Sequence, residues 1–188
     1  MPFVKFKLFH NQIEIGSFEA KIGGKHNLYN LLVGISLGVS FNVPIEVATN
    51  SACEYVPTNN RSEWIQFPSC KVLLDAYNAN PSSVEAGLKS FSTLEGRKAV
   101  LLGDMLELGD SALSEHKLIF ELCQELSFDQ IFVCGKHFYE AVGNFPMKFE
   151  SVDTLLAWLD THPIDADYVY IKGSRGIKME KSLEHFKV

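Results

Sequence analysis

From Lys71 onward, short apolar runs alternate with amphipathic ones, and that rhythm limits what the chain can fold into. Val72-Leu73-Leu74, Ala99–Leu102, Ile131–Cys134 and Tyr168–Ile171 are brief and lie between polar or turn-forming segments, so they read as buried strands. Lys148-Phe149 is a weaker one. Pro81–Phe91, Ser114–Leu126, Lys136–Val142 and Val152–Leu159 read as helices. In the second of these, Ile119, Leu122, Cys123 and Leu126 fall at the 3,4 spacing of one helix face. A terminal helix is expected after Gly176. Repeated strand–helix units imply an α/β fold of Rossmann-like type. The sheet is mostly parallel, with right-handed crossovers and helices on both faces.

Three strand ends carry polar clusters: Asp75-Ala76-Tyr77-Asn78-Ala79-Asn80-Pro81, Gly103–Gly109 and Lys172–Arg175. Strand ends in a parallel sheet point one way, so the clusters share the rim on which such sheets bind ligands. Asp75 brings a carboxylate. Asn78 and Asn80 bring amides that donate and accept. A structural account competes, because Asn80 followed by Pro81 is also a good helix start. Gly173-Ser174 would present backbone N–H groups to an anion. His116 is expected on the outer face of its helix, solvated.

The first sixty residues differ. Phe3–Phe9 alternates, His10-Asn11-Gln12 turns, and Ile13–Ile15 returns as a second strand, with Phe18–Ile22 as a third. Gly23-Gly24 breaks the chain before a helix that begins near His26-Asn27 and carries Leu28, Leu31, Leu32, Ile35 and Val39. Asn27 and Asn30, three apart, share one side of it. They are either a cap plus a solvated amide, or two amides aimed at a polar heterocycle. Pro44–Tyr55 is a second helix, and Pro57-Thr58-Asn59-Asn60 is a turn-rich boundary. The expected division is 1–60, a hinge at 61–70, and a domain at 71–188. Arg61, beside that boundary, is either a solvated charge or a fork for phosphate or ribose oxygens.

A net charge of −6 argues against non-specific nucleic-acid binding. Lys172 and Arg175 oppose that sign locally and keep small anions in view. The 4 cysteines form no CxxC pair, which disfavours zinc and thioredoxin-like chemistry and fits free thiols in a reducing cytoplasm. No metal site is expected. No apolar run is long enough for a membrane span. No GxGxxG follows a strand, which disfavours a nicotinamide dehydrogenase, and no Gly-x-x-x-x-Gly-Lys-Ser/Thr loop occurs.

Four stretches together resemble the Mur ligase family of peptidoglycan synthesis. They are Gly24-Lys25-His26-Asn27-Leu28-Tyr29-Asn30, Asp75–Pro81, Gly103–Gly109 followed by His116, and Lys172–Glu180 (KGSRGIKME). The last two resemble its D-alanyl-D-alanine-adding branch. The resemblance runs from about Ile22 to Glu180. It implies an ATP-dependent amide-bond ligase acting on UDP-N-acetylmuramoyl-tripeptide and D-alanyl-D-alanine. Asn27 and Asn30 would lie near the adenine, and Arg61 and Asp75 would hold ribose and phosphates. Asn78, Asn80, Ser174 and Arg175 would shape the cleft for the dipeptide and the closing nucleotide. ATP and the tripeptide carboxylate would form an acyl phosphate, which the dipeptide amine attacks, with Mg2+ neutralising phosphoryl charge.

The family's three-domain enzymes also carry a UDP-sugar-binding domain and an ATPase domain with a phosphate loop, acidic magnesium ligands and a modified lysine. Residues 1–60 resemble only the tail of that ATPase domain, a small hairpin plus helix. Asn60 stands where the family often has glycine. The resemblance therefore implies a cytoplasmic fragment with no complete catalytic set, unable to ligate alone. Self-association is expected through the apolar helix face of residues 1–60. The rivals are a folate polyglutamating ligase, a non-catalytic nucleotide- or ligand-binding module, and an α/β interaction domain whose rim only caps helices.

Overall fold

The computed structural model describes residues 3–24 and 27–187. The chain forms two compact units, Met1–Thr58 and Asn59–Val188.

In the first unit, β1 (Phe3–His10) and β2 (Ile13–Gly23) form an antiparallel hairpin. Asn11 and Gln12, with φ of 49° and 67°, make the tight left-handed turn that matches strand twist. The expected third strand at Phe18–Ile22 is instead the second half of β2. Gly16 and Ser17 stay paired with Leu8 and Lys7, and a register shift between Leu8 and Phe9 absorbs the irregularity. Helices α1 (Asn27–Ser40) and α2 (Ile45–Cys53) follow. The expected start at His26, and Lys25 of the same motif, lie outside the described residues.

Leu31 of α1 packs with Val4, Ala20, Ile22 and Cys53, and Ile35 packs with Leu8 and Ala48. Another face of α1 carries Tyr29, Val33 and Leu37, with Phe41 just beyond its end. This stripe recurs every four residues and is 56–80% exposed.

The second unit is built on a sheet ordered β3-β4-β8-β5-β6-β7. Its strands are β3 (Glu63–Gln66), β4 (Lys71–Asp75), β5 (Lys98–Gly103), β6 (Gln130–Cys134), β7 (Lys148–Phe149) and β8 (Tyr168–Lys172). All neighbours run parallel except β3 on β4. Strand β3 falls inside the stretch read as a hinge. Four residues give too little alternation to announce a strand.

The helices are α3 (Pro81–Ser92), α4 (Ala112–Glu125), α5 (Lys136–Ala141) and α6 (Val152–Leu159). The first three crossovers step across the sheet in one direction. The fourth steps back and inserts β8 between β4 and β5. With one handedness throughout, α6 must cover the opposite face. Burial agrees: Val84, Leu88, Ile119, Cys123 and Phe138 share a core with Val100, Leu102 and Val133. Val152, Leu155 and Leu159 pack instead with Leu74, Leu101 and Ile171.

The chain after β8 is not a regular helix. It makes 3₁₀ turns at Arg175–Ile177 and Met179–Phe186, interrupted at Lys178 with φ 63°. Met179 inserts against Gly103 and Gly173, where an added Cβ would lie 2.6 Å and 2.9 Å from its side chain. Met179 and Phe186 join the core on the α6 face. Strand β8 therefore leads to one face of the sheet, while its neighbours β4 and β5 lead to the other. Such a reversal opens a crevice at the carboxyl ends of the strands.

Cys53, Cys70, Cys123 and Cys134 are free and buried. Burial pushes the Cys123 and Cys134 thiols up to about 12, so they stay protonated and inert. Among the described residues no helix is long and apolar enough to cross a membrane.

Candidate functional site

The crevice is centred on an ion pair. Asp75 ends β4 and lies in register with Lys172, which ends β8. The Lys172 ammonium donates to Asp75 Oδ2 at 2.5 Å and to the Asn78 carbonyl at 3.1 Å. Its side chain is only 2% exposed and that of Asp75 18%. A buried ammonium needs this compensation, because removing it from water costs several kcal/mol. The second carboxylate oxygen, Asp75 Oδ1, accepts from the Ser62 N–H at 3.1 Å. The Tyr77 N–H donates to the Asn60 carbonyl at 3.1 Å. Tyr170 is buried beneath the pair, and burial, then the Asp75 charge, raises its phenol well above the usual range.

These two backbone bonds hold the segment that carries Arg61. Asn59, Asn60 and Ser62 have φ of 61°, 61° and 48°. Asparagine tolerates this left-handed region better than other non-glycine residues. That is why Asn60 can hold a conformation that glycine adopts freely. The bend places the Arg61 guanidinium 3.8 Å from the centre of the Tyr77 ring. Arg175, in the turn after β8, lies 5.5 Å from the same centre. Hydrogen bonding and charge from Arg61, then the charge of Arg175, hold the Tyr77 phenol below its usual range.

The loop after β5 forms the other wall. Asp104 is buried, and its carboxylate accepts the N–H groups of His137 and Phe138, both at 2.9 Å, at the start of α5. His116, expected in solvent, is fully buried. Its Nδ1 lies 2.6 Å from the Ala112 carbonyl and must donate to it; Nε2 then accepts from the Met105 N–H at 2.9 Å. The ring is therefore neutral, and its 3.5 Å approach to Asp104 is no ion pair. The signal was present in the sequence: Ala112, His116, Ile119, Phe120 and Cys123 fall on one helical stripe, all buried.

Burial lowers the His116 pKa below the ordinary 6.5, despite the opposing pull of the Ala112 carbonyl and Asp104. The unfolded chain thus binds a proton near pH 6.5 that the folded chain refuses. His116 then contributes stability above that pH that is lost on acidification. His116→Gln keeps an acceptor but does not titrate. Denaturant unfolding at pH 7.5 and 5.5 is expected to show a smaller acid loss in the variant than in the parent.

Ser174 is buried. Its hydroxyl accepts the Leu106 N–H at 2.9 Å, and its own N–H donates to the Asp104 carbonyl at 3.0 Å, stitching the β5 and β8 loops together. Asn80 caps α3: its Oδ1 accepts the Ser83 N–H at 2.9 Å and the Ser82 hydroxyl at 3.0 Å. Arg61, Asp75, Asn78, Ser174 and Arg175 therefore gather around the ends of β4 and β8. Asn27 and Asn30 belong to the first unit. There the Asn27 amide donates to the Gly23 carbonyl at 2.7 Å, and its oxygen accepts from Asn30 at 3.0 Å. Sequence reasoning gave Tyr77 no role and noted Lys172 only as a local positive charge, although both lie inside its polar clusters.

A family model described as Mur ligase, glutamate ligase domain, matches residues 60–175, which include both crevice walls. The chain belongs to the Mur ligase family. Members are ATP- and magnesium-dependent ligases. The UDP-N-acetylmuramoyl-tripeptide–D-alanyl-D-alanine ligase of Bacillus subtilis (strain 168) is 32% identical over 180 residues, covering 88% of this chain and 38% of that protein. The ligase of the same name from Treponema pallidum (strain Nichols) is 30% identical over 167 residues, covering 84% and 36%. A crystal structure of MurF from Acinetobacter baumannii superposes with a TM-score of 0.83 at 25% identity, covering 99% of this chain and 43% of that one. The 188 residues thus span less than half the length of these Mur ligase relatives.

Proposed function

We propose that this chain is the carboxyl-terminal part of an ATP-dependent ligase that adds D-alanyl-D-alanine to UDP-N-acetylmuramoyl-tripeptide through an acyl phosphate. The observation that carries the reading is the crevice, where Asp75, Lys172, Arg61 and Arg175 converge in a family of ligases with relatives of that name. In this reading residues 1–60 are the tail of the ATPase domain, 61–70 the hinge side, and 71–188 the carboxyl-terminal domain. The curated relatives favour this substrate pair over a folate.

The residues act as follows. Lys172 neutralises Asp75 and fixes its carboxylate. Asp75 in turn holds the Ser62 amide, and so the placement of Arg61. Arg61 faces nucleotide phosphates; Arg175, Asn78 and Ser174 shape the cleft for the dipeptide and the closing nucleotide. Asn80 serves mainly by starting α3 at the crevice edge. Asn27 and Asn30 are assigned to the adenine side. Closure of this domain would exclude water from the acyl phosphate. Among the described residues no three His, Cys, Asp or Glu side chains gather to hold a metal ion, and none of these roles runs through magnesium.

The sequence holds no Gly-x-x-x-x-Gly-Lys-Ser/Thr motif, and in this reading the 188 residues do not ligate alone. The test is a chimera in which they replace the matching part of the Bacillus subtilis relative. Phosphate release that requires both UDP-N-acetylmuramoyl-tripeptide and D-alanyl-D-alanine is the expected result. A folded chimera whose phosphate release ignores the dipeptide would contradict the reading. The face expected to self-associate, Leu28, Leu31, Leu32, Ile35 and Val39, is packed within the first unit; the exposed stripe of Tyr29, Val33, Leu37 and Phe41 takes over self-association in the isolated chain. Sedimentation at high concentration should show it, and a monodisperse monomer would count against it.

A further inference from the structure

We propose that Arg61 and Arg175 form one binding site for a single multiply charged oxyanion of the phosphate or diphosphate class, with Tyr77 as the positioning residue that holds both guanidiniums. This rests on the reading above and goes beyond it, because it commits both arginines to one anion and gives Tyr77 a part.

The two cations come from distant parts of the chain, one before β3 and one after β8, and meet on one ring. Like charges converge at a cost unless a counter-charge is provided. The chain has three arginines, and among the described residues only Arg97 is ion-paired, with Asp165 and Asp167. The nearby rim carboxylate, Asp75, is already engaged by Lys172 and the Ser62 N–H. So an acidic chain leaves two exposed guanidiniums beside the same ring with no ion pair among the described residues. Each guanidinium is a planar fork suited to phosphate oxygens. One carboxylate carries one charge and is satisfied by one fork. Two forks on a common ring suit an anion that spreads at least two charges over several oxygens.

Tyr77 does not need to touch that anion. Both guanidiniums lie within cation–π range of its ring. Its N–H bond to Asn60 fixes the ring beside the segment carrying Arg61. On the other side, the bonds of Ser174 to Leu106 and Asp104 fix the backbone next to Arg175. The lowered phenol pKa agrees with both cations lying close to the ring.

The test is calorimetric titration of this chain with inorganic pyrophosphate at low ionic strength. Arg61→Ala and Arg175→Ala are each expected to weaken binding about ten-fold or more. The double variant should lose clearly less than the product of the two. Tyr77→Leu should weaken binding about as much as losing one arginine, while Tyr77→Phe stays within about three-fold of the parent. Arg97→Ala, at the opposite end of the sheet, should bind like the parent. Pyrophosphate should also raise the Tyr77 phenol titration, read as the ultraviolet difference between the parent and Tyr77→Phe, because the anion offsets the arginine charges. Three results would each overturn the proposal: no pyrophosphate binding, parental binding by a folded Tyr77→Leu, or independent arginine effects that mark two separate sites. Any of these beside intact dipeptide-dependent turnover in the chimera would remove the shared clamp and leave the ligase reading standing. Loss of that turnover beside the expected titrations would do the reverse.

Discussion

Gly135→Ala is expected to destabilise the second unit by about 3–5 kcal/mol, a large part of the stability of an ordinary domain. Gly135 has φ of 120°, where an L side chain is strained. A Cβ there would also lie 2.3 Å from the Asp104 carboxylate carbon. Asp104 cannot retreat without releasing the His137 and Phe138 N–H groups, the second of them buried. Gly143→Ala separates strain from crowding. Its φ is 57° and nothing lies within 4 Å of an added Cβ, so it should lose only about 1–2 kcal/mol. Urea unfolding of the two variants measures both effects. Equal losses would mean that Asp104 yields easily and does not pin the β5 loop.

Lys172→Met should be the other severe change, at about 3–5 kcal/mol. The methionine fills the volume but leaves the Asp75 carboxylate against an apolar interior, beneath it the buried Tyr170 phenol. Asp75→Asn added to Lys172→Met removes that uncompensated charge. The double variant should therefore be more stable than the single one, a sign that no simple loss of packing would give. Urea midpoints decide the matter. A single variant as stable as the parent would show that Asp75 reaches water freely and that the pair does not anchor the crevice.

Much of this architecture was legible because its strands are buried on both faces. Val72–Leu74 and Tyr168–Ile171 are continuous apolar runs of the kind found inside a parallel sheet, and their alternation with helical segments identified them as strands. The convergence of three polar clusters on one rim followed from strand direction alone, and the structure brings them together. The insertion of β8 between β4 and β5 was not legible, because strand order depends on contacts between segments far apart in sequence. Strand β3 was missed because a four-residue edge strand has almost no pattern. His116 was misplaced by the habit of reading histidine as polar. A neutral imidazole with both nitrogens satisfied is a core residue, and its stripe partners said so. The terminal helix became 3₁₀ turns because Met179 must reach down between Gly103 and Gly173.

Within the site, residue types were easier to read than roles. Asn80 has the chemistry of a ligand, yet its oxygen is committed to the start of α3. Ser174 has a nucleophile's hydroxyl, yet it is buried and binds a loop amide. Arg61 and Arg175 looked unrelated in sequence, and only the fold places them on one ring.

The crevice at the ends of β4, β8 and β5 is expected to do chemistry rather than merely cap helices. Dipeptide-dependent phosphate release by the chimera, with Asn78→Ala and Arg175→Ala made separately, tests it most directly. Both side chains are exposed, so melting temperatures should stay close to the parent. Turnover should fall about ten-fold or more in each variant. Parental turnover in both, with the chimera folded and dependent on the dipeptide, would contradict the account and reduce the polar rim to a set of turns and caps.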